Sequence, residues 1–327
     1  DISSDLIAVG KSLIPVIRKH AERGDFGKGD AQDIAHAREE ALKNSEYIQR
    51  ELTIGGGQRV IDLRKAPLDG GGAVVVLSDI TERKALEREL SIANKRMGDE
   101  LNIGREIQMS MIPLTFPRFP EHKDIDVWAY LRPAREVGGD FYDFFFINEN
   151  LFAFVVADVS GKGVPAALMM AVAKTLLKSH SNDTRSTARI VELTNNELSQ
   201  NNKDCMFITA FFGMIDTTNG EMIYTNAGHN PPYLMSPDGS INALDQVHGP
   251  MIGAMEGIPY EEERVTLGVD DKLMLFTDGI TEAFDAERQA YGEERLEEML
   301  DRSGKLGTKY LVDALVREVD DFVGEAE

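Results

Sequence analysis

Asp140-Phe141-Tyr142-Asp143-Phe144-Phe145-Phe146-Ile147 and Leu151-Phe152-Ala153-Phe154-Val155-Val156-Ala157, parted by the polar Asn148-Glu149-Asn150, decide how this chain folds. Two aromatic and apolar runs around a short polar gap predict an antiparallel β-hairpin. A turn symmetric about Glu149 sets Asp140 directly opposite Asp158. Facing side chains in such a ladder have Cβ atoms about 4.5–5.5 Å apart, and like charges so placed repel. A hard divalent cation bound by carboxylate oxygens relieves that repulsion and uses the same spacing. For either acid alone, a bulge that shifts the register or a solvated strand-end cap is an equally simple account.

A third acid makes the simple account harder to hold. Phe276-Thr277-Asp278-Gly279 closes the apolar run Lys272-Leu273-Met274-Leu275-Phe276, so Asp278 is expected at the end of a buried strand, with a glycine that lets ligand or backbone approach. Read by itself, the same tetrapeptide is an ordinary Asp-Gly turn. Gly161-Lys162-Gly163 lacks the full phosphate-loop pattern, and its glycines read as a strand-to-helix turn with Pro165 at the first helical position. Val164 to Leu177 is apolar on nearly every face, which predicts a buried helix beside the acidic loop. Cys205, the only cysteine, borders an apolar strand and reads as a small buried residue, not a catalytic thiol. His229, at the exit of a second hairpin (Phe207–Ile215 and Glu221–Thr225), has two readings. It is a candidate general acid, or it pins the following Pro231-Pro232 loop through hydrogen bonds.

Gly138-Gly139-Asp140-Phe141 also resembles the diguanylate cyclase signature. That signature needs two consecutive acids before Phe, and a cyclase leaves residues 157–163 and 276–279 without a role. The set GGDFYD (138–143), ADVSGKGVPAALMM (157–170), MFITAFFG (206–213), NAGHNPP (226–232) and FTDGITEAF (276–284) instead resembles the metal-dependent (PPM) protein phosphatases. Within them it is most similar to the bacterial SpoIIE-like serine phosphatases that control anti-sigma-factor antagonists. The resemblance implies an α-β-β-α sandwich holding two manganese or magnesium ions. Asp158 would bridge both ions, Asp140 and Asp278 would each bind one, and the carbonyl of Val159 would assist. It further implies phosphoserine or phosphothreonine hydrolysis by a metal-activated hydroxide, on a phosphorylated STAS-type antagonist protein.

The remainder of the chain is consistent with regulation. With 327 residues, 42% hydrophobic and 28% charged, it is long enough for two globular domains of α+β class. A formal net charge of −21 argues against binding nucleic acid or an anionic membrane. A single cysteine excludes an intramolecular disulfide framework, and no run approaches ~18 uninterrupted apolar residues, so a cytoplasmic location is the default expectation. Residues 1–79 begin with a helical pattern (Leu6, Ile7, Leu13, Ile14, Ile17) and end in three short strands between glycine turns. That meander, closed by Asp79-Ile80-Thr81-Glu82-Arg83-Lys84, resembles the C-terminal part of a PAS sensor domain. Asp79 with Glu82 reads as a capping box that starts a helix over 80–111. Leu86, Leu90, Ala93, Met97, Leu101, Gly104, Ile107 and Met111 then recur close to a coiled-coil seam, which predicts a parallel homodimer. A helix lying on its own catalytic domain is the other reading of the seam.

Residues 112–327 form the expected phosphatase domain, with strands at 125–131, 140–147, 151–157, 206–215, 221–225 and 272–277 and helices at 164–178, 186–201 and 308–323. The related family carries its last metal ligand in an Asp-Asp pair before a further strand. Here Asp320 and Asp321 instead fall on the outer face of an amphipathic helix set by Leu311, Leu315, Val319 and Phe322. Either the sequence is truncated at this point or the site lacks a ligand. The second case would make the domain a catalytically weak or silent signalling module.

Overall fold

The aromatic-rich strands β4 (Phe141–Phe146) and β5 (Leu151–Val159) pair antiparallel around the Asn148–Asn150 turn, at one edge of the main sheet of the larger of two compact units, Asp99–Glu327. The other unit is Asp1–Gly98. The computed structural model describes residues 47–54, 58–67, 73–133, 136–200 and 202–325, with a few isolated positions before Tyr47. The helical pattern around Leu6–Ile17 and the two glycine turns of the N-terminal meander lie outside the described residues.

In the N-terminal unit, β1 (Ile48–Ile54), β2 (Arg59–Pro67) and β3 (Ala73–Asp79) form the expected antiparallel meander in the order β1-β2-β3. Helix α1 (Thr81–Met111) follows. Its start differs in detail from a capping box. The Asp79 carboxylate accepts from the Thr81 hydroxyl at 2.5 Å, from Arg59 at 2.7 Å and from the Thr81 amide at 3.1 Å, and these bonds hold it down at a pKa of about 2. Among the described residues Glu82 returns no hydrogen bond to close the box. Along α1 the seam residues Leu86, Leu90, Met97, Ile107 and Met111 are exposed.

The larger unit has two sheets. The first is five-stranded in the order β10-β7-β6-β5-β4, with β6 (Ile208–Asp216), β7 (Glu221–Ala227) and β10 (Glu263–Thr266), all antiparallel. The second orders β11-β8-β9 from three short strands, β8 (Tyr233–Met235), β9 (Ile241–Ala243) and β11 (Lys272–Met274). Helices α2 (Val164–His180) and α3 (Thr187–Ser199) pack with each other and with the first sheet. Leu296, Met299 and Leu300 of α5 (Gly292–Ser303) and Leu311, Leu315 and Val319 of α6 (Thr308–Val323) bury against Tyr233, Met235, Met274 and Phe276 of the second. The layers are those of an α-β-β-α sandwich.

Several expectations need correction. Residues 125–131 form no strand: Ile125, Val127, Ala129 and Leu131 pack against the core, but among the described residues no neighbouring strand pairs with them. The strand at Lys272 stops at Met274, and Asp278 starts a short helix, α4 (Asp278–Thr281). Helix α2 is apolar all round yet buries only one face, through Ala166, Met170, Ala173 and Leu177; Val164, Leu168 and Val172 are exposed at 48%, 64% and 50%. Helix formation starts at Val164, so Pro165 is the second helical residue. Cys205 is exposed and adopts a left-handed φ of 50°, since it lies in a turn ahead of β6 and not in the strand.

The face that α2 does bury is pinned by charge as well as by packing. Lys174 Nζ lies 2.6 Å from Asp143 Oδ2, and the two side chains are only 14% and 7% exposed. Removing one member of a buried pair leaves the other charge without a partner, which typically costs about 3–5 kcal/mol. Lys174→Met is therefore expected to lower the unfolding free energy by about that amount in urea titration. Lys174→Met combined with Asp143→Leu should recover most of the loss, because no buried charge is then left alone.

Candidate active site

The acidic site grows out of the hairpin register. The β4–β5 ladder ends with Phe141 against Ala157; Asp140 immediately precedes β4, while Asp158 continues β5. The two carboxyls stand within hydrogen-bonding reach of one another. Gly139 is required just before this point: a Cβ there would lie 2.6 Å from the carbonyl oxygen of Val159. Gly138 is held from the other side by the buried side chain of Gln108 in the last turns of α1. Its Nε2 donates to the Gly138 carbonyl at 2.6 Å, and its Oε1 accepts from the Gly138 amide at 3.2 Å. Thr277 donates through Oγ1 to Asp140 Oδ2 at 2.7 Å, which joins the loop before α4 to the start of β4.

Burial, reinforced by neighbouring negative charge, dominates the electrostatics. Burial pushes the Asp158 carboxyl up to about 8, helped by the hydrogen bond and charge of Asp140 and by the charges of Asp278 and Glu282. Asp278 is raised too, first by burial, then by Glu282 and Asp140, against the opposing pull of the Gly279 amide and of Lys162. These residues line one cleft of about 2160 Å³. Glu282 is the functional candidate that sequence reasoning missed. Its amide donates to the Asp278 carbonyl at 2.7 Å, one helical turn on. The signal was its spacing of four from Asp278, which places both acids on one side of a helical turn. Taking Asp278 for a strand end hid it.

His229 is buried beside this cluster. Its Nδ1 lies 2.9 Å from Thr209 Oγ1, and Thr209 pairs with Asp158 in the β5–β6 ladder. Its main chain is fixed by Asn226, whose Oδ1 accepts from the His229 amide at 2.8 Å and whose Nδ2 donates to its carbonyl at 3.1 Å. Burial pulls the ring to a pKa of about 4, although Asp140 and the Phe276 carbonyl oppose that shift. At neutral pH the imidazole is uncharged.

Among the described residues, no three His, Cys, Asp or Glu side chains converge tightly enough to chelate an ion as they stand. The donor set nevertheless fits manganese or magnesium in kind. It consists of carboxylates and a main-chain carbonyl, the hard oxygen ligands such ions prefer. The proton that crowding favours on Asp158 is the charge a cation would replace. Asp320 and Asp321 take no part: both are exposed on the outer face of α6, and Asp320 pairs with Arg132.

A model of the Stage II sporulation protein E (SpoIIE) family matches residues 148–327, more than half of the chain. The chain belongs to that family. Asp158, His229, Asp278 and Glu282 fall inside the matched span, whereas Asp140 precedes it. A PAS fold model matches residues 1–88. The chain is 31% identical over 242 residues to Protein IcfG of Synechocystis sp., covering 65% of this chain and 37% of that protein. It is 28% identical over 183 residues to the phosphoserine phosphatase RsbU of Bacillus subtilis, covering 56% of this chain and 53% of that one. The chain thus spans about half, or less, of the length of these curated relatives. The SiaA-PP2C domain of Pseudomonas aeruginosa has a similar fold, with a TM-score of 0.62, 22% identity, and coverage of 72% of this chain and 93% of that domain. Among the described residues no helix is long and apolar enough to cross a membrane.

The raised carboxyl has a measurable consequence. In the unfolded chain Asp158 titrates near 3.8, so between about 4 and about 8 the metal-free folded protein keeps a proton that the unfolded chain gives up. Folded stability in a chelator should therefore fall as pH rises through that window and level off above it. Asp158→Asn is expected to flatten this dependence, as read from unfolding midpoints at a series of pH values.

Proposed function

We propose that this protein hydrolyses phosphoserine or phosphothreonine on a partner protein with the help of manganese or magnesium. The observation that carries the reading is the convergence of Asp140, Asp158 and Asp278 on one cleft, with Asp158 crowded enough to favour a proton near neutral pH. In this reading Asp140, Asp158 and Asp278, with the Val159 carbonyl, would hold the ions. Such ions, when bound, act as Lewis acids on the phosphoryl oxygens and lower the pKa of water.

The chain's own residues prepare the site. Thr277 fixes the orientation of the Asp140 carboxylate. Gly139 leaves room for the Val159 carbonyl. Uncharged and enclosed, His229 serves better as the support of the Asn226–Asn230 turn than as a cationic proton donor.

The partner best suited to the reading is a phosphorylated STAS-type antagonist of an anti-sigma factor. Its support is the motif resemblance, together with the likeness to a relative named a phosphoserine phosphatase. The N-terminal PAS-like unit would act through α1, and the uncovered apolar seam of that helix suits a parallel homodimer in the cytoplasm. A weak or silent signalling module is the second reading, favoured by the absence of a ready three-donor chelate among the described residues.

Release of phosphate from a phosphoserine peptide distinguishes the two. Activity should depend on added Mn²⁺ or Mg²⁺ and should disappear in a chelator. Asp278→Asn is expected to lower the rate by more than about a hundredfold, beyond the ~10–100-fold typical of losing an outer-shell support. Asp320→Asn with Asp321→Asn should leave the rate unchanged. Equal rates in the parent chain and in Asp278→Asn would overturn the enzyme reading.

A further inference from the structure

We propose that Lys162 holds the phosphoryl group of the substrate at the mouth of the acidic cleft. This rests on the phosphatase reading given above. Its first support is location. Lys162 lines the cleft together with Asp140, Asp158, Asp278 and Glu282. Two other cations of the lining are engaged elsewhere, Arg132 with Asp320 and Lys272 with the Gly304 carbonyl. Among the described residues Lys162 has no carboxylate at ion-pair distance, and it is exposed.

Its second support is the way the loop is built. On one side, the Ser160 amide donates to the Phe207 carbonyl at 2.8 Å and the Phe207 amide donates to Ser160 Oγ at 2.8 Å. On the other side, the Ala167 amide donates to the Gly163 carbonyl at 3.1 Å as α2 begins. Between these two fixed points Gly161 and Gly163 take left-handed φ values of 87° and 78°, with open space around both. Lys162 therefore sits at the apex of a short loop whose ends are anchored and whose middle meets no obstacle.

Charge supplies the third support. A phosphoserine carries about −1.5 to −2 at neutral pH, and it must approach a chain of formal net charge −21. Repulsion of that kind slows encounter and weakens binding unless a cation meets the ligand. Lysine suits the task because its ammonium is a compact point charge on a long stem, able to follow a phosphoryl group without a fixed bidentate geometry. The competing role is a counter-ion that only neutralises Asp278, and it makes different predictions.

The experiment compares the parent chain with Lys162→Met and Lys162→Arg, all loaded with Mn²⁺. It reads the inhibition constant of inorganic phosphate, KM and kcat on a phosphoserine peptide, and Mn²⁺ affinity by calorimetry. For Lys162→Met the phosphate inhibition constant and KM should each rise about tenfold or more, the size expected when a charged hydrogen bond is lost. Mn²⁺ affinity should stay within about twofold. Lys162→Arg retains the charge and should keep phosphate inhibition within about threefold of the parent. An unchanged phosphate inhibition constant in Lys162→Met overturns the inference, and so does a change that accompanies tighter Mn²⁺ binding, the mark of a counter-ion. If the parent chain shows no metal-dependent hydrolysis at all, the phosphatase reading fails first and takes this inference with it.

Discussion

Two carboxyl groups face one another across neighbouring strands, and the rest of the catalytic unit is arranged around that juxtaposition. The pairing of β4 with β5 prepares it: the ladder ends with Phe141 against Ala157, and Asp140 and Asp158 are the next residues on either side. Left to themselves, like charges so placed destabilise a sheet. The surrounding structure holds them there regardless. Thr277 grips Asp140, Gly139 admits the Val159 carbonyl, and Gln108 clasps the Gly138 backbone through both its donor and its acceptor. Strain of this kind concentrates where a ligand is meant to relieve it.

The hairpin and its register were legible because they depend on local pattern: a period of two, a short polar turn and strong aromatic content. Helices α2, α3 and α6 were legible from local pattern too, whereas the sandwich itself was an implication of the motif resemblance. What escaped depends on partners distant in the chain. Ile125 to Leu131 shows the alternation of a strand and points those residues at the core, yet alternation says nothing about whether a neighbouring backbone is present to bond with. Strands β8 and β9, of three residues each, are too short to show a period. Cys205 was misplaced through its neighbour Met206, since a turn and a strand start look alike at a boundary.

The site was legible in part. Asp140, Asp158 and Asp278 stand together as their motifs suggested, and Asp320 and Asp321 stay outside as their helical phase suggested. Glu282, Gln108 and the Asp143–Lys174 pair were not visible. Glu282 needed Asp278 to be on a helix, and Gln108 reaches a backbone that lies thirty positions further on. A polar side chain on an exposed-looking helix gives no sign in sequence that it will be buried. The uniformly apolar character of α2 misled in the opposite direction, because composition alone does not reveal that one face is left uncovered.

The enclosure of Asp143 and Lys174 bears on how the protein responds to ionic strength. Mobile ions screen charges they can surround, with a Debye length of about 8 Å at physiological salt, and reach a buried pair far less. The bond that pins α2 to β4 is therefore shielded from salt, while the exposed charges that make up most of the −21 balance are not. Raising the salt concentration should weaken the long-range field around the molecule and leave the framework behind the acidic loop intact. Salt is thus a tool that separates the protein's outer electrostatics from its architecture.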